Sequence, residues 1–341
     1  MNPDPTGTPT RITVVSGGVG AARFLAGLID AIDDLDDLDD VDGAASITAV
    51  VNTGDDCMLH GLSISPDLDT VTYTLAGAID PERGWGLVDE SWRAMESLER
   101  YESVRPDGSS AAPRWFNLGD RDLATHFFRT ARLAEGASLT EVTDEIRRAW
   151  QVPIRIVPMS DDRLSTIVTI TDEHGHSSDV SFQDYFVRLR HSVPVTAVRF
   201  DGTAGLADDA RLALRSAHTI VIAPSNPIVS IGPIRSLPGV EELLADRRER
   251  TVAVSPIVGG AALKGPADRM LTELGHDASV VGVARLYAPI ASVLVIDPVD
   301  AHLADDVEAQ GMRCVVTPSV MSTPDRARDL ATVTIRSIQR T

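Results

Sequence analysis

The feature that most constrains this chain of 341 residues is a repeated unit, in which a short β-branched strand ends in a glycine-rich or polar loop. The first unit is a predicted strand at Arg11–Ser16, a glycine turn and an apolar helix at about residues 21–32. A second strand, at residues 47–51, follows. Strands that alternate with helices predict a parallel sheet with right-handed crossovers.

Three later predicted strands end in the same way. They and their loop residues are 219–223 with Ser225 and Asn226, 251–255 with Gly259 and Gly260, and 292–296 with Asp297. Ligands of open α/β sheets bind outside the carboxyl ends of the strands, so we expect these loops to converge on one site. The sequence therefore predicts an α/β, Rossmann-like, doubly wound fold with a mainly parallel sheet.

The stretch 80–150 has a different pattern. It begins with residues typical of loops and continues with helical periodicity, including a capping-box pattern at Ser138. We interpret it as a mainly helical insertion that borders an acceptor site. Residues 11–79 and 151–341 then form the Rossmann-like nucleotide-binding core.

Composition excludes several classes of partner. The net charge of −19 argues against a nucleic acid or an anionic membrane surface, since neither polyanion gains from an acidic protein. The apolar runs are too short for a membrane span, and the first residues contain no secretory signal. Cys57 and Cys314 lie far apart and predict no disulfide scaffold, which favours a cytoplasmic location.

An aspartate-rich run occupies residues 33–42. A solvated helix end or loop is the favoured interpretation, because such runs are usually hydrated, and a cation site is the alternative.

The first glycine turn is a candidate phosphate site. Gly17, Gly18 and Gly20 allow a phosphate to approach the backbone, and the following helix supplies N–H donors. Arg23 replaces the third glycine of the dinucleotide fingerprint, and the second strand ends without a ribose-binding acid, which disfavours a dehydrogenase. Lys264 is followed by Gly-Pro, so the P-loop pattern is absent. Metalloprotease and hydrolase-elbow motifs are absent too.

Four carboxylates are expected at the same sheet edge. Asp55 and Asp56 follow the second strand, while Asp67 and Asp69 begin the next helix. Such a group favours a hard cation such as Mg²⁺, and we predict Asp56 and Asp69 as its ligands. For Asp67, helix capping and metal binding stay open as equal alternatives.

Other polar and aromatic residues complete the predicted site. Ser225, Asn226 and the loop of Gly259, Gly260 and Lys264 are suited to phosphate. His60 and His126 are candidates for proton transfer. The remaining candidates for substrate binding are Asn52, Asn117, Arg121 and Trp85.

Several motifs together resemble the 2-phospho-L-lactate transferase family, whose actinobacterial-type members are phosphoenolpyruvate transferases of deazaflavin coenzyme (factor 420) biosynthesis. They are SGGVGAARF (16–24), NTGDDCMLHGLSISPDLDTVTYTLAG (52–77), DPERGWG (80–86), LGDRDLATH (118–126), PMSDDRLST (158–166), APSNPIVSIGPI (223–234) and SPIVGGAALKGPAD (255–268). They span most of the chain in order.

The resemblance implies a reaction and a set of ligands. The donor is a guanosine diphospho compound bearing a phosphoenolpyruvyl or phospholactyl group, the acceptor is Fo (7,8-didemethyl-8-hydroxy-5-deazariboflavin), and GMP is the leaving group. Mg²⁺ and a homodimer are implied as well. Asp55, Asp56 and Asp69 are the candidate catalytic residues, and the sequence does not choose the base among them.

Two alternatives stay open. The overall pattern is also similar to UDP-sugar-binding metabolic regulators of the same fold, which bind a nucleotide without transferring it. The stretches around Asp67, Asp69 and Asp120 match the transferase instead. Between the two donors, the stretches GWG and GDRDLATH favour the phosphoenolpyruvyl compound.

Overall fold

The computed structural model describes residues 10–32, 46–107, 109, 111 and 115–339. The aspartate-rich run lies outside these residues. The helices are α1 (Gly18–Asp30), α2 (Pro66–Leu75), α3 (Arg93–Leu98), α4 (Asp122–Ala134), α5 (Leu139–Ala149), α6 (Asp208–Ser216), α7 (Gly232–Ser236), α8 (Val240–Asp246), α9 (Ala267–Glu273), α10 (Val280–Tyr287), α11 (Ala304–Glu308) and α12 (Pro324–Gln339).

The strands are β1 (Arg11–Ser16), β2 (Ser46–Val51), β3 (Cys57–Leu59), β4 (Leu62–Ile64), β5 (Arg155–Pro158), β6 (Ser165–Thr171), β7 (Ser177–Ser181), β8 (Val195–Asp201), β9 (Thr219–Ile222), β10 (Thr251–Val254), β11 (Ile257–Val258), β12 (Ala261–Ala262), β13 (Val293–Ile296) and β14 (Arg313–Val316). Short 3₁₀ helices follow α3, α8 and β13, and a π-helical turn follows β7.

The central sheet confirms the predicted fold class. Within the described residues its strand order is β14-β13-β10-β9-β1-β2-β5, and every neighbouring pair is parallel. The chain moves from β1 towards β5 on one side and from β9 towards β14 on the other. The order therefore reverses between β1 and β9, which is where doubly wound folds bind their ligands.

Both faces of the sheet are buried, which explains the nearly continuous apolar runs of its strands. Val14 packs in one core with α1, α2 and α12, while Val15 packs in the other core with α6, α8 and α10. The same alternation occurs along β2, β9 and β10. Packing on both faces thereby fixes the positions of the strands and of the loops at their carboxyl ends.

Residues 80–150 contain α3, α4 and α5, and their described part contributes no strand to the central sheet. The capping box at Ser138 is present, with Glu141 as its partner. None of the helices in the described ranges has both the length and the apolar character needed to cross a bilayer.

Some boundaries differ from expectation. Helix α1 begins at Gly18 instead of at about residue 21. Helix α2 begins at Pro66 after the N-cap Ser65, since proline is favoured in the first helical turn, and Asp67 and Asp69 lie in that turn. The sequence analysis also did not predict β8, which pairs with β6 in an antiparallel sheet of order β7-β6-β8. Four of the seven β8 residues are exposed, so the apolar signal of this strand is weak.

Candidate active site

The glycine turn after β1 packs closely against the loop after β9. Ser225 donates its Oγ–H to the carbonyl oxygen of Gly17 at 2.7 Å. A Cβ atom at Gly20 would lie 2.2 Å from the carbonyl oxygen of Pro224, so no larger residue fits without moving the backbone. Gly18 has a φ of +69°, which favours glycine. The two loops thus hold the start of α1 at the point where the strand order reverses.

Asp67 joins three elements at this point. Its carboxylate accepts the backbone N–H of Gly18 and, at Oδ2, the Nδ2–H of Asn52 at 2.9 Å. The Oδ1 of Asn52 in turn accepts the N–H of Gly54 at 2.8 Å, which orients the amide. Asp67 therefore faces the N-terminus of α1, and Ser65 provides the N-cap position of α2. Burial raises the pKa of Asp67 to about 6, although both hydrogen bonds oppose this shift.

Asp55 and Asp56 lie beside Asp67, and the three are called the acidic group below. Burial raises the pKa of Asp55 well above its usual range, and the charge of Asp67 is the next cause. Burial also raises the pKa of Asp56, against a 2.6 Å hydrogen bond from Ser65. Among the described residues, Oδ1 of Asp55 and of Asp56 is buried without a hydrogen-bond partner. This arrangement is costly unless a cation or proton compensates it.

Asp69 has a different partner. Arg129 of α4 reaches both of its carboxylate oxygens, with NH1 at 3.1 Å from Oδ2 and NH2 on Oδ1. Arg129 is 2% exposed and Asp69 is 6% exposed, so the pair is buried. The bidentate pairing neutralises Asp69 inside the protein.

His126 and Asp122 extend this pair. Nε2 of His126 lies 3.1 Å from Oδ2 of Asp122, and Nδ1 lies 3.7 Å from Oδ2 of Asp69. Tyr73 donates its hydroxyl to Oδ1 of Asp122 at 2.5 Å. We call these five residues, Asp69, Tyr73, Asp122, His126 and Arg129, the ion-pair network.

Two places within the described residues could attract a metal ion. Asp69, Asp122 and His126 offer ligand atoms within 4.8 Å of one another. Arg129 already supplies a positive charge to that triad. The acidic group lacks such a cation among its hydrogen-bond partners in the described residues, and its unpaired oxygens suit a hard divalent ion better.

A basic side chain approaches from the other side of the turn. A Cβ atom at Gly84 would lie 2.7 Å from Nζ of Lys264 and 3.6 Å from Val19 in the first turn of α1. Burial and then the charge of Arg23 lower the pKa of Lys264. Two positive charges near a helix N-terminus form a setting that favours an anion.

Other predicted residues have partners that limit their roles. Oδ1 of Asn226 accepts the N–H of Ile228 at 2.9 Å, so this side chain shapes its own loop. Gly259 and Gly260 form the turn between β11 and β12, and the N–H of Gly259 donates to Oδ2 of Asp300. The loop after β10 is thereby tied to the segment after β13.

The predicted ring-binding residues lie on the insertion. Trp85 is 45% exposed, and its ring centroid lies 6.1 Å from that of Trp92. Arg121 is exposed and its guanidinium donates to the carbonyl oxygen of Val88 at 2.6 Å. Asn117 is exposed as well. Within the described ranges, neither Asn117 nor Arg121 is hydrogen-bonded to the acidic group.

Sequence reasoning missed Arg129, although a signal was present. Asp122, His126 and Arg129 are spaced by four and three residues, which places them on one face of α4. A charged residue on the same helical face as an acid and an imidazole indicates a buried network, and its partner Asp69 lies 60 residues earlier.

Comparison with solved structures agrees with the fold. The protein BH3568 from Bacillus halodurans has a TM-score of 0.58 and 16% identity, covering 97% of this chain and 100% of that one. A second structure of BH3568, described as a member of the UPF0052 family, has a TM-score of 0.56 at 15% identity, covering 97% of this chain and 99% of that one. At this identity the likeness concerns the fold alone.

Sequence comparison is more specific. A phosphoenolpyruvate transferase from Streptomyces griseus is 42% identical over 94% of this chain and 96% of its own length. Phosphoenolpyruvate transferases from Kitasatospora aureofaciens and Mycobacterium tuberculosis are 40% identical, each over 94% of this chain and over 95% and 96% of their own lengths. The family model for 2-phospho-L-lactate transferase CofD matches residues 12–329, and the chain therefore belongs to this family.

Proposed function

We propose that the chain transfers a phosphoenolpyruvyl group from its guanosine diphospho donor to the ribityl hydroxyl of Fo and releases GMP. Its family makes it a transferase of factor 420 biosynthesis. The choice of the phosphoenolpyruvyl over the 2-phospho-L-lactyl donor is supported by the names of its relatives. The observation that carries the proposal is the acidic group, in which Asp55 and Asp67 are buried and Asp56 is half-buried, beside the glycine turn at the strand-order reversal.

The diphosphate of the donor would bind at the N-terminus of α1. The first turn of α1 carries no acidic side chain, and the helix dipole favours negative charge at this end. Lys264 and Arg23 add positive charge from the side of Gly84. The same turn faces Asp67, so the anionic diphosphate would lie close to a carboxylate. A cation would then be needed to offset the repulsion between them.

Mg²⁺ fits the acidic group, with Asp55 and Asp67 as the residues that would hold it. Asp55 has a buried unpaired oxygen, and Asp67 is the strongest charge acting on it. When bound, the ion neutralises charge on the diphosphate and on the departing GMP. This assignment replaces the predicted ligands Asp56 and Asp69, because Oδ2 of Asp56 already accepts a hydrogen bond from Ser65 and Arg129 contacts both oxygens of Asp69.

Asp56 is the proposed general base. The hydroxyl oxygen of Fo would bond to the phosphorus that carries the three-carbon group, and the bond from this phosphorus to the oxygen of GMP would break. The hydroxyl proton would pass to Oδ1 of Asp56, which is buried without a hydrogen-bond partner among the described residues. Burial raises the pKa of Asp56, so its carboxylate takes up a proton more readily than an exposed one.

The deazaflavin ring would lie against the exposed face of Trp85. This residue directly follows Gly84, the residue next to Nζ of Lys264, so the ring surface and the phosphate site are adjacent. We also propose a homodimer, which the family resemblance implies, and a cytoplasmic location, to which the free thiols of Cys57 and Cys314 are suited.

Mass spectrometry tests the proposal directly. The protein is incubated with Fo, Mg²⁺ and each guanosine diphospho donor in turn, and the products are identified. We expect a phosphodiester adduct of Fo together with an equal amount of GMP, and a large loss of both with Asp56→Asn. If neither donor gives an adduct, the transferase proposal is wrong. Stabilisation by a UDP-sugar without any turnover would instead favour the regulator alternative.

A further inference from the structure

Arg129 is the largest nearly fully buried side chain among the described residues. It extends from α4 to Asp69 of α2. Its NH1 group is 3.1 Å from Oδ2 of Asp69, 3.3 Å from the carbonyl oxygen of Ser63 and 3.3 Å from Nδ1 of His126. Its NH2 group bonds Oδ1 of Asp69. A guanidinium without access to water is retained only where such partners compensate its charge.

These contacts fix the state of His126. An arginine N–H can only donate, so Nδ1 of His126 must accept and its proton must be on Nε2. The Nε2–H then faces Oδ2 of Asp122 at 3.1 Å, while Tyr73 donates to Oδ1 of the same carboxylate. Both oxygens of Asp69 and Oδ1 of Asp122 thus accept hydrogen bonds, while Nε2 of His126 lies near the remaining oxygen of Asp122 without a hydrogen bond to it.

Without Arg129, the same residues would resemble a metal site. Asp69, Asp122 and His126 can bring one ligand atom each within 4.8 Å of the others, and all three are largely or wholly removed from solvent. Imidazole and carboxylate together suit divalent ions such as Mn²⁺ and Zn²⁺. The guanidinium contacts two of these three residues and repels a second cation.

We propose that Arg129 is a positioning residue whose guanidinium takes the place of a metal ion in the Asp69–Asp122–His126 triad. It keeps the triad closed to divalent cations. Asp55 and Asp67, which have no such internal cation among the described residues, are then the carboxylates that bind the ion. The last step rests on the proposed function, whereas the exclusion of metal from the triad does not.

Counting bound Mn²⁺ by electron paramagnetic resonance tests the exclusion of metal from the triad without donor, acceptor or turnover, and an activity assay supplies a second readout. We expect Arg129→Met to bind one more Mn²⁺ per chain than the unaltered protein, and the additional His126→Gln change to remove that extra ion. Arg129→Lys keeps a positive charge and is expected to bind no extra ion. Its partial recovery of GMP release, relative to Arg129→Met, is the second readout.

A folded Arg129→Met protein that gains no Mn²⁺ would overturn the inference. So would an unaltered protein whose bound Mn²⁺ is lost with His126→Gln and kept with Asp67→Asn.

If Arg129→Met does not fold, the inference is tested by the affinity of Asp69→Asn for Mn²⁺. It should change the Kd for Mn²⁺ by less than about threefold, because Asp69 is not a ligand. Asp67→Asn should raise the Kd at least tenfold. If both variants lose affinity for Mn²⁺ equally, the role given to Arg129 is contradicted. If both keep their affinity, the assignment of Asp67 as a ligand is refuted, whereas the exclusion of metal from the triad is not.

Discussion

Replacing Asp67 by asparagine is expected to stabilise the metal-free protein. Burial raises the pKa of Asp67 from 3.8 to about 6. Because the folded pKa lies above the unfolded one, stability falls as the pH rises between about 4 and 6, and the full penalty persists above that range. A shift of roughly two pKa units corresponds to about 3 kcal/mol.

Asparagine removes this charge but weakens the hydrogen bonds from Gly18 and Asn52. Each such bond contributes roughly 1 kcal/mol, so the net gain should be about 1–2 kcal/mol at pH 8. In Mg²⁺ the unaltered protein should instead be more stable than Asp67→Asn. At one hundred times its Kd, Mg²⁺ stabilises the unaltered protein by about 2.7 kcal/mol, and the variant should lose most of this effect.

Urea unfolding at pH 8, in EDTA and then in Mg²⁺, measures both effects. Asp297→Asn is the matched control, since Asp297 also accepts backbone N–H groups, from Val299 and Ser319, and lies outside the acidic group. It should lose about 1 kcal/mol. The reasoning is refuted if metal-free Asp67→Asn is less stable than the unaltered protein by more than about 1 kcal/mol, or if Mg²⁺ stabilises both equally.

Three further predictions concern the surroundings of the site. Gly20→Ala places a Cβ atom 2.2 Å from the carbonyl oxygen of Pro224 and should cost about 1–3 kcal/mol in urea unfolding, whereas Gly205→Ala enters open space and should stay within about 0.5 kcal/mol. Lys264→Ala should raise the KM for the guanosine diphospho donor roughly tenfold with little change in kcat, and an equal loss in kcat would instead indicate a role in the transition state. Burial raises the pKa of Cys314 to about 11, so iodoacetamide should modify it at least tenfold more slowly at pH 8 than a free thiol, and a rate equal to that of glutathione would contradict this packing.

The central sheet could be predicted because its strands are buried on both faces. Such strands appear as short apolar runs, and their polar ends identify the binding edge. Strand β8 could not be predicted in the same way, since its exposed positions interrupt the apolar pattern. Helix α1 begins at Gly18, three residues before its predicted start, because its first turn contains Gly18 and Gly20, which carry no apolar side chain to mark it.

The acidic group was predictable as a set of carboxylates, but not their partners. Asp67 and Asp69 are two residues apart in the first turn of α2, and the local sequence does not show which partner each of them meets. Their environments differ because Asp69 faces α4 and meets Arg129, while Asp67 faces the N-terminus of α1. Likewise, the hydroxyl of Ser225 is occupied by Gly17, a residue 208 positions away. Such pairings depend on tertiary packing and leave little trace in local sequence.

The position of the divalent ion tests the central claim most directly. Crystals grown with GDP and Mn²⁺ would locate the metal by its anomalous scattering. The account predicts a peak between Asp55 and Asp67, next to the diphosphate at the glycine turn that follows β1. A peak within the Asp69–Asp122–His126 triad, or an ordered diphosphate bound far from Asp67, would contradict it.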